Sequence, residues 1–161
     1  MRNVIWYSYC DSKTNEYFCS IVTERYKKYD ISSNIFLTFS ASGSVAAWGI
    51  WEKYPILWLI IVILTQIIQF LKPFFLFPKY IEIYNEKFIL LQNINNKYED
   101  LWIKLENENI NDTEVGIIFD KIKSESIQVD RFPNNLICLN FNKIHNEANE
   151  NANRFMLRYN S

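Results

Sequence analysis

The chain has 161 residues, one domain's worth, with 22% charged side chains, a net charge of −1 and a mean hydropathy of −0.13. Seventeen basic against eighteen acidic side chains leave no cationic excess, so direct nucleic-acid binding is not expected. Three glycines (Gly43, Gly49, Gly116) provide neither a phosphate-binding loop nor a nucleophile elbow, and no metal motif is present, so no catalytic residue, cofactor or metal site is expected.

Residues 1–30 open with "MRNVIWYSYCDSKTNEYF", which lacks the apolar core and small-residue cleavage site of a signal peptide. Phe18, Ile21, Val22, Arg25 and Tyr29 lie at helical spacing and predict a helix over roughly Thr14–Asp30. Cys10, Cys19 and Cys138 form no C-x-x-C pair and read as reduced thiols in a cytosol-facing protein. The single histidine, His145, has no ligand-type neighbour at metal spacing and reads as a surface residue.

Between Ile31 and Leu71 the only charges in 41 positions are Glu52 and Lys53. A bilayer core of about 30 Å asks for about 20 apolar residues in a helix. Ile31–Trp51 supplies 21 and Pro55–Leu71 supplies 17, so the sequence predicts a two-helix transmembrane hairpin over residues 31–73. Trp48, Trp51, Tyr54 and Trp58 at one end and Phe70, Phe74, Phe75, Phe77 and Tyr80 at the other resemble interfacial aromatic belts. Pro55 suits the first turn of the second helix, and Pro73 and Pro78 mark its end or a kink. The turn "WGIWEKYPILW" then lies outside the cell. Basic residues on the flanks place both termini in the cytoplasm.

Within these segments Asn34, Thr38 and Ser42 fall four apart as one polar stripe, and Thr65, Gln66 and Gln69 lie toward the end of the second. Ser40/Ser44, Ser42/Ala46 and Gly43/Ala47 add a small-xxx-small pattern suited to close helix packing. The polar residues read either as interhelical hydrogen-bonding partners or as the lining of a water-filled path in an oligomer. The absence of intramembrane Asp, Glu, Lys or Arg argues against a proton relay or voltage sensor.

Residues 74–161 read as a cytosolic helical bundle. "KYIEIYNEKFILLQNINNKYEDLWIKLENE" (79–108) holds no Gly or Pro and predicts one helix about 45 Å long. Ile81, Phe88, Asn95 and Trp102 take heptad a positions, and Tyr84, Leu91, Tyr98 and Leu105 take d positions. The stripe Phe88, Leu91, Asn95, Tyr98 and Trp102 serves either self-association, with Asn95 setting register, or packing inside one bundle. Asn111 with Glu114 forms a capping-box pattern for a further helix, with Asp112 as the alternative cap. Ile144, Ala148, Ala152, Phe155 and Tyr159 predict an amphipathic helix at the C-terminal side of Pro133. The acidic run Glu106, Glu108, Asp112, Glu114 reads as solvated charge at a helix junction.

The order of elements resembles the SLATT proteins, two-transmembrane domains associated with SMODS and SLOG proteins. The resemblance rests on "FCSIVTERYKKYDI", "FSASGSVAAW", "WEKYP", "QIIQFLKPFF" and "FPKYIEIYNEKFILLQNI". It implies a bacterial antiphage defence role: an oligomeric, pore-forming effector that perturbs or permeabilises the inner membrane when infection is sensed. No appended sensor domain is expected, so the trigger would come from a separately encoded sensor or signal-producing protein. The alternative is a non-conducting membrane scaffold that recruits a cytosolic partner through the long helix. The resemblance supplies no catalytic or ligand-binding residue.

Overall fold

A computed structural model describes residues 1–42, 54–72, 74, 77–107, 110–130 and 141–157. The described residues are almost wholly helical, in five elements: α1 (Arg2–Ser42), α2 (Pro55–Leu71), α3 (Phe77–Glu106), α4 (Asp112–Asp130) and α5 (Phe141–Leu157). The all-helical class, the long helix α3 and the amphipathic helix α5 agree with the sequence reading. The helix expected over Thr14–Asp30 is part of a longer one, because no Pro or Gly interrupts Arg2–Ser42.

The two-span hairpin is overturned. Among the described residues no helix is long and apolar enough to cross a membrane. At about 1.5 Å per residue, the 17 residues of α2 reach about 25 Å, short of a hydrocarbon core of about 30 Å. The apolar end of α1 is described only from Ile31 to Ser42, which is shorter still, and residues 43–53 lie outside the described residues. Trp48, Trp51 and most of the "WGIWEKYPILW" turn therefore fall outside them too.

Local chemistry accounts for the helix ends. Pro55 occupies the first turn of α2, where a missing N–H costs nothing, and Tyr54 precedes it without a side-chain cap. At the other end the Lys72 N–H donates to the Ile68 carbonyl at 2.8 Å. Pro78 sits in the first turn of α3, so it begins a helix here. Asn111 caps α4, its Oδ1 accepting from the Thr113 N–H at 3.4 Å.

The chain forms two compact units: residues 1–23 with 82–161, and residues 24–81. In the first unit one face of α1 carries Ile5, Tyr9, Ser12, Glu16, Cys19 and Thr23, all buried, at alternating steps of four and three. On α3 the matching buried series is Tyr84, Lys87, Leu91, Ile94, Tyr98 and Leu101. The two run antiparallel: Trp6 meets Trp102 (ring centroids 4.8 Å apart), Tyr9 meets Tyr98 (6.0 Å) and Phe18 meets Tyr84 (6.3 Å). From α4, Val115, Phe119 and Ile122 close the core, and from α5, Ile144, Ala148, Ala152 and Met156 do so. Lys87 is buried and donates to the Val129 carbonyl at 2.8 Å, satisfying a free carbonyl in the last turn of α4.

In the second unit Tyr26 is buried against Phe77 and Tyr80, with ring centroids 5.8 and 5.6 Å away. Helix α2 has no buried residue.

Candidate functional site

A surface that a folded chain normally hides is the first candidate. "PILWLIIVILTQIIQFL" contains no charged residue, yet Ile56, Leu57, Leu59, Ile60, Ile63 and Phe70 of α2 are all half-exposed or more. Each such aliphatic side chain left in water forgoes about 1.5–3 kcal/mol of burial energy. A helix this apolar belongs in a core or in lipid, and no residue of α2 is buried among the described residues. Ile31, Ile35 and Phe39 on α1 extend the apolar surface of the same unit, with Phe39 81% exposed. With Asn34 and Thr38 they line a shallow depression of about 380 Å³.

The polar residues predicted in this region separate into three groups. Thr38 and Thr65 donate their hydroxyls to carbonyls four residues back, Asn34 and Ile61, both at 2.8 Å, so their own helices already satisfy them. Asn34 is a junction. Its Nδ2 donates to Asp30 Oδ2 at 3.1 Å and its Oδ1 accepts from Lys72 Nζ at 2.6 Å. Gln66 and Gln69 are exposed on α2. The side chain of Ser42 lies outside the described residues.

The second candidate is buried inside the first unit. Glu16 Oε2 accepts from Asn95 Nδ2 at 2.6 Å and from Lys13 Nζ at 2.8 Å. Asn95 is 1% exposed and Glu16 6%. Lys13 also lies 4.7 Å from the Phe155 ring centroid, a cation–π contact from α1 to α5. Beside this cluster Ser12 Oγ and Asn95 Oδ1 are buried without a hydrogen-bond partner among the described residues. Asn95 was legible as a polar residue in an apolar stripe. Glu16, Lys13 and Ser12 were not, because the heptad series through Ile5, Tyr9 and Cys19 went unread in the sequence.

The remaining predicted residues of α3 also turn inward. Leu91 and Tyr98 are 1% exposed, while Phe88 and Trp102 are half-buried at the flanks. Lys87, Ile94 and Leu101, each one residue before the a positions Phe88, Asn95 and Trp102, are buried, and of those three a residues Asn95 alone is buried as well. His145 is half-buried, stacked on Phe141 at 5.7 Å, with Nδ1 3.0 Å from Asn149 Nδ2. Cys10 and Cys19 are free thiols. Burial, and then the neighbouring Asp11 carboxylate, hold the Cys10 thiol above its ordinary pKa, so it stays protonated and weakly nucleophilic. Cys138 lies outside the described residues.

No protein-family model, curated protein or solved structure matches the chain.

Proposed function

We propose that this protein acts on a bacterial inner membrane from its cytoplasmic side, entering the acyl region through α2 and disturbing the barrier as copies assemble. The observation that carries the reading is the uncovered, charge-free helix α2. Lipid is the occupant its chemistry favours. A protein groove usually presents polar residues to the rim of its partner, whereas α2 carries no charge, exposes mostly aliphatic side chains and is flanked by Tyr54 and Trp58 at one end and Phe70 and Phe74 at the other.

Assembly follows from the two glutamines. In lipid, Gln66 and Gln69 would have no water to bond, and glutamines on neighbouring copies are the nearest source of partners. Packed together they form a polar seam that disturbs the acyl layer in which it lies. The resemblance to SLATT proteins supplies the occasion, an infection signal relayed by a separately encoded partner. The rival scaffold reading has less support, since Leu91 and Tyr98, through which the long helix would recruit a partner, are spent on the protein's own core.

Flotation of the full chain with phospholipid vesicles tests the proposal. The wild type is expected to float, and Ile60→Glu/Ile63→Glu to stay in the aqueous fraction, because each buried charge costs about 2.5 kcal/mol, roughly sixtyfold in partition. Wild-type protein that does not float would sink it.

A further inference from the structure

We infer that the second unit carries a site for anionic lipid headgroups, formed where residues 25–34 of α1 pack against residues 72–80. The inference rests on the lipid reading of α2 and deepens it by naming the class of membrane the site selects.

Charge is unevenly divided between the two units. Residues 24–81 hold six basic and three acidic side chains, a net charge of +3; the rest of the chain holds eleven and fifteen, a net charge of −4. The near-neutral whole therefore hides a cationic unit, and that unit is the one with the uncovered apolar helix.

Packing gathers this charge at one end of α2. Tyr26 and Tyr29 of α1 lie against Phe77, Tyr26 also lies against Tyr80, and Asn34 accepts from Lys72. These contacts bring the segment bearing Arg25, Lys27 and Lys28 to the segment bearing Lys72 and Lys79. Lys72 directly follows the last helical residue of α2. Lys27, Lys28, Lys72 and Lys79 are all exposed. The acidic residues in the same region are Glu24, 4.0 Å from Lys28, and Asp30, which accepts from Asn34.

The chemistry matches the boundary of an anionic leaflet. Apolar side chains enter the acyl layer, aromatic rings lie at the headgroups, and lysine stems reach along apolar surface to set ammonium groups among phosphates. A basic residue at such a surface contributes about fivefold in affinity, and salt screens the effect.

The full chain should therefore bind vesicles of phosphatidylcholine mixed with phosphatidylglycerol more tightly than vesicles of phosphatidylcholine alone, and the preference should shrink at high salt. Lys27→Gln/Lys28→Gln/Lys79→Gln should cut binding to the anionic vesicles roughly a hundredfold while leaving phosphatidylcholine binding and the urea midpoint unchanged. The corresponding lysine-to-arginine triple variant should keep the preference. Adding Lys72→Gln to the glutamine triple should weaken anionic binding further. Equal wild-type binding to the two vesicle types overturns the headgroup site and leaves the lipid reading standing. A glutamine triple variant that keeps the preference also overturns the site. No binding to either vesicle overturns the site together with the lipid reading.

Discussion

Asn95, Glu16 and Lys13 put a charged cluster on a seam that is otherwise built from Ile5, Tyr9, Leu91 and Tyr98. Removing different members should have unequal effects. Glu16→Ala leaves a largely buried ammonium and a buried amide without their common acceptor, and should cost about 2–4 kcal/mol. Asn95→Leu also removes an acceptor that already lacks a partner, and Glu16 keeps Lys13, so the change should stay within about 1 kcal/mol. Urea denaturation of the two variants measures the contrast, and equal losses would show that the cluster does not work as one network. Sequence exposed Asn95 as a misfit in an apolar stripe. It did not expose Glu16, because a lone Glu in a helix full of polar residues looks like ordinary solvated surface until its partner is known.

Helix α2 is the element whose composition and surroundings disagree. Its limits were legible from Pro55 and from the charged break at Lys72, and the helix runs from one to the other. What composition suggested beyond that, a pair of membrane spans, fails on length, since 17 residues reach about 25 Å. The polar residues of this region looked alike in sequence and differ in structure. Thr65 is satisfied by the Ile61 carbonyl and Asn34 by Lys72 and Asp30, which leaves Gln66 and Gln69 on the exposed surface. Gln66→Leu/Gln69→Leu should then bind vesicles as well as wild type or better but release an entrapped dye far more slowly. Undiminished dye release would remove the glutamines from the proposed assembly.

For the molecule as a whole, the two units divide the work that composition averages together. One buries its apolar residues in a helical core; the other leaves many of its described ones exposed. An uncovered apolar surface in water drives association, so the full chain should sediment as concentration-dependent oligomers in plain buffer. Ile60→Glu/Ile63→Glu should shift it toward monomer. A wild-type chain that stays monomeric across the concentration range would show that α2 has no need of a partner or lipid. Sequence alone determined the helical class, the long helix α3, the starts of α2 and α4, and the concentration of apolar residues between Ile31 and Leu71. These depend on local signals: proline and asparagine at helix ends, the lack of breakers, and a period of three to four residues. Only the tertiary structure decided which apolar stripe becomes core, because burial is a property of pairs of faces. The face of α3 that could have served another chain meets α1, whereas no residue of α2 is buried among the described residues, and the basic segments beside it meet through Tyr26, Tyr29 and Asn34.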